Sequence, residues 1–529
     1  MPPRTTDLTG GGPPNRPACQ GPPSEKTQRK FHTVLLALAL TLSAGAYWPI
    51  VNNFFHADDF FHLYNLVSNG PLHFFLTPHG GHVLVVRNLI FSACYWLFGL
   101  APQGYFVLVL VTHLANVCLL FLVIRWFTGD AVLACFGATL WGVSPANEGA
   151  LGWYSVYGQV LVATIVLWLL YDVMRVSAGQ VLPSVARRMA WYLLLLAAST
   201  CFGIGAAVAV TFAVVAYLLL PSSAQRGSIA VMLASLVLVV PALYVMCHRV
   251  EAGPSGLNGP GSWVAAAANN WRACAEMFRD LLTHAIDTLA LPYWCEIPGG
   301  SGLRYDFALV VVAALLVCVV WSSAETKRRI AALTLVLCSS YASIAVGRGP
   351  MVVELAKTAQ WGAQTPRYHY FGPAVLAVIF CVLLYQLVGH NVRWAWGGRA
   401  IASCWLVGAL AASLHHGRVV NHHDASRAET LAVLQMVDSF SRATPQGQEA
   451  CIHNQHFRSA GWLGNGNMFF PGWAAVFAIA HPDRVVNGRT VRFIEPDPRT
   501  LAVAQASPRE RIASLLVAPN QLPPHCRVF

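Results

Sequence analysis

The chain has 529 residues, of which 56% are hydrophobic and 11% are charged, and its mean hydropathy is +0.52. A soluble protein carries about twice that charged fraction, so the composition excludes an ordinary soluble enzyme and indicates a polytopic membrane protein with a smaller soluble part. The net charge of +11 is explained by Lys and Arg in cytoplasmic loops. No basic stripe with interleaved aromatic residues indicates nucleic-acid binding.

The first 30 residues are rich in Pro, Gly and polar side chains. Such a segment cannot bury a core, so it is predicted to be a disordered cytoplasmic tail. Residues 31–50 form an apolar run long enough to cross a hydrocarbon core of about 30 Å. Because Arg29 and Lys30 precede this run and no clear cleavage site follows it, we interpret it as a retained signal anchor with the N-terminus inside.

Two adjacent acids, Asp58 and Asp59, follow this first span in the sequence HADDFFH of residues 56–62. Two carboxylates at a membrane surface repel each other and lose hydration, so a function is expected for them. One could act as a general base with a pKa raised by its neighbour and by partial burial. Alternatively the pair, with His56 or His62, could hold a divalent cation such as Mg or Mn. The structural alternative is that Asp58 caps a short helix beginning at Phe60.

Ten further apolar runs are predicted to span the membrane, giving an all-α protein of eleven spans oriented by the positive-inside rule. The runs lie near residues 105–126, 131–146, 156–174, 190–204, 206–220, 229–247, 306–321, 330–346, 369–388 and 399–414. Residues 83–100 contain Arg87 and Asn88, so they are predicted to lie at the outer interface without crossing. This topology places in the cytoplasm Arg125, Arg175, Arg187, Arg188, Arg226, the run 325–329, Arg393 and Arg399.

The same topology brings to the outer face residues 51–104, the short loop around Glu148, and residues 248–305, 347–368 and 415–529. Glu148, in SPANEG of residues 144–149, is a second candidate acid, or else a carboxylate near the start of the next span. Trp153 and Tyr157 follow it, either as an interfacial aromatic belt or as a platform for a sugar ring. Arg87 with His79 and His82 could bind an anion, although a lone His near a membrane is more often a satisfied interfacial residue.

A basic segment near the late spans is predicted to bind phosphate. Arg367 stands in TPRYHY of residues 365–370 beside Tyr368 and His369, and a guanidinium in that setting suits a phosphate oxygen. Arg348 and Lys357 could add positive charge. The alternative is a snorkelling interfacial Arg367.

Residues 415–529 are predicted to form a small soluble α/β domain on the outer side. Apolar positions at helical spacing cover 424–442, and strand-like runs lie at 450–452, 491–494 and 515–517. Most cysteines lie inside spans. The pairs Cys274–Cys295 and Cys451–Cys526 lie outside them and could be disulfides in an oxidising compartment.

The order of these segments resembles the GT-C glycosyltransferase superfamily, whose polytopic members use polyprenyl-phosphate-linked sugars as donors. The resemblance is carried by HADDFF after the first span, GHVLVVRNLIFSACYWLFG at 81–99, SPANEGALGW after the third span and TPRYHYFGPAVLAV at a late span. These segments lie within residues 31–390. The arrangement is most similar to the bacterial branch of protein mannosyltransferase-like and lipid A or O-antigen modifying enzymes.

The resemblance implies a role for each candidate. Asp58 would be the catalytic base, Asp59 would support it or bind a metal, Glu148 would be a second loop acid, and Arg367 would stabilise the donor phosphate. The expected reaction is a single displacement with inversion. The other residues expected to contact phosphate or substrate are His369, Arg348, Lys357, His56, His62, His82, Arg87, Trp153, Tyr157 and Tyr368.

The implied location is the bacterial inner membrane, with a cytoplasmic N-terminus and a periplasmic C-terminus. The implied partners are a polyprenyl-phosphate sugar, membrane lipid and an envelope glycan, lipid or protein acceptor. The chain departs from the family pattern at residues 158–160, which read GQV, and at 201–205, which read CFGIG. A flippase of lipid-linked sugars, or a ligase or polymerase with a pyrophosphate-linked donor, is the alternative.

Overall fold

The structure is a computed structural model that describes residues 25–55, 58–179, 183–221, 224–251, 260–290 and 304–388, scattered positions from 405 to 445, and four short strands after residue 448. His56, Cys295, Arg393, Arg399, most of the predicted span 399–414 and the predicted strand 515–517 lie outside the described residues.

The described part is mostly helical. Its helices are α1 Glu25–Tyr47, α2 Asp58–Asn69, α3 Pro71–Leu76, α4 Val85–Phe98, α5 Pro102–Thr128, α6 Ala131–Gly142, α7 Glu148–Leu151, α8 Tyr157–Gly179, α9 Val185–Ser199, α10 Gly203–Leu219, α11 Ala224–Ala234, α12 Leu236–Glu251, α13 Pro260–Asn269, α14 Trp271–Ala290, α15 Tyr305–Trp321, α16 Ala324–Glu354, α17 Ala359–Ala363 and α18 Phe371–Val388. Short 3₁₀ turns cover Trp48–Asn52, Pro145–Asn147, Tyr154–Val156 and Pro366–Tyr368.

Within the described residues, five helical stretches are long and apolar enough to cross a membrane: Lys26–Asn52, Pro102–Thr128, Tyr154–Gly179, Gln225–His248 and Ala324–Glu354. Shorter apolar helices include α6, α10, α15 and the greater part of α18. The predicted run 190–204 falls largely on α9, and 206–220 falls on α10. A helical protein with several candidate membrane spans is therefore confirmed, whereas the number eleven stays a prediction.

One end of the helix bundle, called the basic end here, collects predicted cytoplasmic arginines. Arg328, near the start of α16, donates from Nε and Nη2 to the carbonyl of Leu218 at 3.1 and 3.0 Å. Arg329 donates to the carbonyl of Phe127 at 3.2 Å. Arg187 lies 3.3 Å from Asp172. The ends of α5, α8 and α10 thus meet the starts of α9 and α16.

Local sequence explains the sharp helix boundaries at this end. Gly129 adopts a left-handed φ of +74° after α5, as a glycine at a helix C-terminus commonly does. Asp130 then caps α6, because its Oδ1 accepts hydrogen bonds from the backbone of Val132 and Leu133 at 2.7 and 3.2 Å. Ser323 caps α16 in the same way.

The opposite end, called the distal end, is crossed by α4. The backbone N–H of Val86 donates to Thr200 between α9 and α10 at 3.2 Å. The carbonyl of Gly99 accepts from Tyr105 at the start of α5 at 2.8 Å. Because both ends of this 14-residue helix contact the same end of the bundle, α4 lies across the bundle without traversing it. Its exposed Trp96, at 83%, is suited to an interfacial position.

The buried core around α5, α6 and α18 holds the distal segments in place. The hydroxyl of Tyr370 lies 3.0 Å from His113 Nδ1 and accepts from Asn116 at 3.0 Å. Trp141 Nε1 donates to the Tyr370 carbonyl at 3.0 Å. These bonds join the residue directly after the TPRYH segment to α5 and α6, so the position of Arg367 is set by a rigid part of the bundle.

Four strands lie in the C-terminal part: β1 Glu449–His453, β2 Val485–Val486, β3 Arg489–Ile494 and β4 Cys526–Arg527, in the order β2-β3-β1-β4. β1 pairs in parallel with β3 and β4, and β2 pairs antiparallel to β3. The predicted strands at 450–452 and 491–494 are confirmed. A complete α/β domain stays a prediction.

The structure gives different information on the two predicted disulfides. Cys274 is a free, buried thiol, and its predicted partner Cys295 lies outside the described residues. In the register of β1 and β4, Cys526 stands opposite Glu449, two positions before Cys451 along β1.

Candidate functional site

The two adjacent acids occupy different environments at the start of α2. Asp59 is fully buried, and its Oδ1 accepts a 2.6 Å hydrogen bond from the backbone N–H of Ser155. Asp58 keeps 25% of its side chain exposed, and its Oδ2 lies 3.6 Å from Nε2 of His79. Asp59 therefore anchors the Tyr154–Val156 turn that precedes α8, whereas Asp58 is partly accessible beside His79. The structural alternative is also corrected, because the helix begins at Asp58 itself and not at Phe60.

The pKa of Asp58 moves in the opposite direction from our expectation. Burial raises the pKa of this carboxyl, but the hydrogen bonding and charge of His79 and the charges of Arg367 and Arg348 outweigh burial and hold it below the usual value. From the sequence we expected a raised carboxyl pKa, because the neighbouring acid and burial were evident there and the nearby cations were not. Asp58 is therefore ionised at neutral pH.

The connection between α3 and α4, residues 77–84, contains a tight turn at Gly80-Gly81 with a histidine on each side. His79 and His82 exchange two backbone hydrogen bonds of 2.9 Å each. Gly80 and Gly81 between them have φ of +56° and +83°, which glycine adopts without strain and which a tight hairpin turn of this type requires. His79 is the residue that contacts Asp58.

The second histidine contacts a cation. Nε2 of His82 lies 3.4 Å from Nη2 of Arg348, which comes from α16. The His82 ring stacks on Phe202 with centroids 4.4 Å apart. A Cβ on Gly203 would lie 2.5 Å from His82 Nδ1, so the glycine leaves room for this ring. Burial and the charge of Arg348 lower the pKa of His82 well below its usual value.

The predicted phosphate cation Arg367 lies between two aromatic rings. Its guanidinium carbon is 5.0 Å from the Trp153 ring centroid and 5.2 Å from that of Tyr368. Gly149 packs against the backbone of Arg367, since a Cβ there would lie 2.4 Å from the Arg367 nitrogen. Glu148, the preceding residue, therefore lies on the segment that supports Arg367.

Contacts through the His79–His82 turn link Asp58, His79, His82 and Arg348, and the charge of Arg367 also acts on Asp58. We call these five residues the distal cluster. Trp153 and Tyr368 border it. Burial raises the pKa of Tyr368, but the charges of Arg348 and Arg367 outweigh it and lower that pKa. The cluster combines one carboxylate with two guanidinium groups whose charges act on it. Such a site can bind an anion and accept a proton at neighbouring positions.

Arg87 and His62 are placed beneath the cluster and not at its surface. Arg87 is fully buried, and its Nη2 lies 2.8 Å from Nε2 of His62, which is 2% exposed. Burial lowers the pKa of Arg87 to about 10, while Asp59 and Asp58 are among the groups that raise it. Nε and Nη1 of Arg87 have no hydrogen-bond partner in the structure. The geometry favours an internal counter-ion over a substrate contact.

Three other predicted residues are not brought to the distal cluster. Both ring nitrogens of the buried His369 are used, at 2.5 Å from the Ala363 carbonyl and 3.2 Å from the Tyr341 hydroxyl. Lys357 is exposed and lies 5.9 Å from the Trp361 ring. Tyr157 is buried, with its hydroxyl 2.8 Å from that of Thr112.

The described residues show no metal site. They contain no group of three or more His, Cys, Asp or Glu side chains arranged to hold an ion. The two adjacent carboxylates, which were predicted to share a cation, have separate partners. A Mg or Mn ion bound by Asp58 stays a prediction, and Asp59 has the less suitable orientation.

Sequence reasoning missed the two contacts that organise the cluster, His79 with Asp58 and His82 with Arg348. The signal was present in the pair Gly80-Gly81, because two adjacent glycines between identical polar residues are typical of a tight turn that holds both side chains together. It also missed that the His82 ring packs against Phe202 and Gly203.

Comparison with known proteins adds no assignment to this geometry. No family model matches the sequence, and no curated protein is significantly similar to it.

Proposed function

We propose that the protein is an inverting glycosyltransferase that moves a sugar from a polyprenyl-phosphate donor to an acceptor hydroxyl. The observation that carries the proposal is the Asp58 carboxylate, which lies 3.6 Å from His79 in a cluster where the charges of Arg367 and Arg348 help to hold its pKa below the usual value. The resemblance of the segment order to GT-C enzymes supports the same conclusion.

The proposed chemistry needs a carboxylate base and an anion site at neighbouring positions. Arg348 and Arg367 bind the donor phosphate and stabilise the charge that develops as its bond to the anomeric carbon breaks. An acceptor hydroxyl attacks that carbon from the opposite side, and Asp58 takes its proton. The sugar–phosphate bond breaks as the new glycosidic bond forms, so the configuration inverts. Trp153, whose ring lies 5.0 Å from the Arg367 guanidinium carbon, is proposed to contact the sugar ring.

The proposed setting is the periplasmic face of a bacterial inner membrane. The distal end lies opposite the arginine-rich basic end, and positively charged ends face the cytoplasm. The lipid tail of the donor would lie among the apolar helices, and the acceptor, an envelope glycan, lipid or protein, would enter from the aqueous side. Glu148 is proposed as a supporting acid.

The test compares wild type, Asp58→Asn and Asp306→Asn in nanodiscs with radiolabelled polyprenyl-phosphate sugars and an envelope acceptor fraction. Loss of a general base typically costs 10²–10⁴-fold, so we expect Asp58→Asn to reduce transfer by at least about 100-fold while donor binding remains. Asp306, which is 78% exposed, is the matched control and should transfer normally.

Two outcomes would contradict the proposal. Undiminished transfer by Asp58→Asn would show that Asp58 is not the base. Donor binding by wild type without transfer or hydrolysis, across several sugars and acceptors, would favour a flippase. A parallel arm with EDTA and added Mg or Mn tests the divalent cation. A donor series with monophosphate and pyrophosphate linkages separates a transferase from a ligase or polymerase.

A further inference from the structure

The turn at His79–His82 contacts the two oppositely charged members of the distal cluster. Its paired backbone hydrogen bonds and its two glycines at positive φ hold the histidines at neighbouring positions. A tight hairpin of this kind has little freedom, because each residue of the turn occupies a defined φ/ψ region.

On one side of the turn, His79 is confined by aromatic neighbours. Its ring centroid lies 4.7 Å from that of Phe61 and 4.5 Å from that of His62. His62 is in turn held by the buried Arg87 at 2.8 Å. These contacts direct Nε2 of His79 to the Asp58 carboxylate at 3.6 Å, and α2 supplies both Asp58 and the rings that confine His79.

On the other side, His82 is confined against α10 and α16. Phe202 stacks on its ring, and Gly203 leaves the space that the ring occupies. Nε2 of His82 is left facing Arg348 Nη2 at 3.4 Å. The same Arg348 atom lies 3.8 Å from the position of a Cβ on Gly80, so Arg348 also rests on the turn itself.

We propose that the His79–His82 turn is a positioning device in which His79 holds the Asp58 carboxylate and His82 holds the Arg348 guanidinium. The turn thereby fixes the separation between the proton acceptor and one of the phosphate-binding cations. Both histidines are positioning residues that act through their partners. The inference rests on the proposed glycosyltransferase function and assigns the two histidines separable effects within it.

The experiment measures kcat, donor KM and direct donor binding for His79→Leu and His82→Leu. Because His79 acts on the base, its loss should lower kcat at least about tenfold and leave donor binding within about twofold of wild type. Because His82 acts on the phosphate cation, its loss should weaken donor binding at least about fivefold. His79→Gln and His82→Gln, which retain a polar group, should recover part of each loss.

Variants of the turn glycine supply a matched pair. Asn tolerates positive φ, and the Cβ of Gly80→Asn would make an ordinary contact at 3.8 Å, so this variant should remain near wild type. Gly80→Val cannot adopt that backbone without strain and should impair both kcat and donor binding. His73→Leu, at an exposed position in α3, controls for histidine loss. Size exclusion in detergent verifies that each variant is folded.

Equal losses of kcat and donor binding in both histidine variants, with no recovery by Gln, would show a merely structural turn and overturn the inference. Unchanged His79→Leu and His82→Leu with an active wild type would overturn the inference alone. A wild type that transfers no sugar would overturn the proposed function as well.

Discussion

At the scale of single residues, one step along a helix separates two adjacent acids into different roles. Neighbouring side chains on an α-helix differ in direction by roughly 100°, so Asp59 enters the core and meets the Ser155 backbone while Asp58 remains accessible. The sequence identified the pair as unusual but could not divide the roles, because the division depends on what packs around α2.

The lowered pKa of Asp58 predicts the pH dependence of transfer. A carboxyl whose pKa lies below the usual value of about 3.9 stays ionised between pH 5 and pH 8, so the Asp58 step should give a flat rate across that range. The same shift stabilises the folded protein above about pH 4, and this contribution is lost as the pH falls through the folded-state pKa.

A pH–rate profile under donor-saturating conditions checks this expectation. His79→Leu should move the acid limb to higher pH, because burial raises the pKa of Asp58 and His79 no longer lowers it. A wild-type acid limb with a midpoint near pH 6 to 7 would contradict the assignment of Asp58 as the base.

At the scale of secondary-structure elements, close backbone approach sets the position of Arg367. Gly149 in α7 packs against the Pro366–Tyr368 turn and leaves no space for a side chain. Shortly after that turn, Tyr370 is hydrogen-bonded to α5 and α6. The sequence marked SPANEG and TPRYHY as separate outer segments. Their direct packing could not be predicted, because small residues permit close contact without identifying the partner.

Gly149→Ala should therefore disturb the donor site. Its Cβ would lie 2.4 Å from the Arg367 nitrogen and 2.6 Å from the Pro366 carbonyl carbon, and backbone atoms cannot move aside as a flexible side chain can. We expect a cost of about 1–3 kcal/mol and weaker donor binding.

Thermal unfolding in detergent and donor binding provide the measurement for this variant. Gly227→Ala is the control, since nothing lies within 4 Å of its added Cβ, and alanine in a helix is more favourable than glycine by roughly 0.5–1 kcal/mol. If both variants behave alike, the contact between α7 and the Pro366–Tyr368 turn does not constrain the site.

At the scale of the whole molecule, the arginines predicted to be cytoplasmic and the candidate site occupy opposite ends of the bundle. Arg187, Arg328 and Arg329 bond to helix ends at the basic end, whereas the distal cluster gathers α2, the His79–His82 turn, α16 and the Pro366–Tyr368 turn. This separation agrees with the polarity predicted from the positive-inside rule.

Reporter fusions test that polarity directly. Alkaline phosphatase, which is active only outside the cytoplasm, should be active when fused after residue 55 or 100, inactive after 129, and active again after 152. Equal activity at 55 and 100 is expected because α4 lies across the distal end. A change of side between 55 and 100 would show that α4 spans, and a shared side at 100 and 129 would show that α5 does not.

The sequence by itself determined the class of protein, the approximate positions of most described apolar helices and the polar segments that share one end. These follow from hydropathy, helix length and charge, which are local properties summed along the chain. Tertiary structure decided which polar residues meet. It buried Arg87, His62 and His369, brought His79 to Asp58 and His82 to Arg348, and reversed the expected pKa shift of Asp58. Burial and electrostatic environment depend on atoms distant in sequence, so no local pattern encodes them.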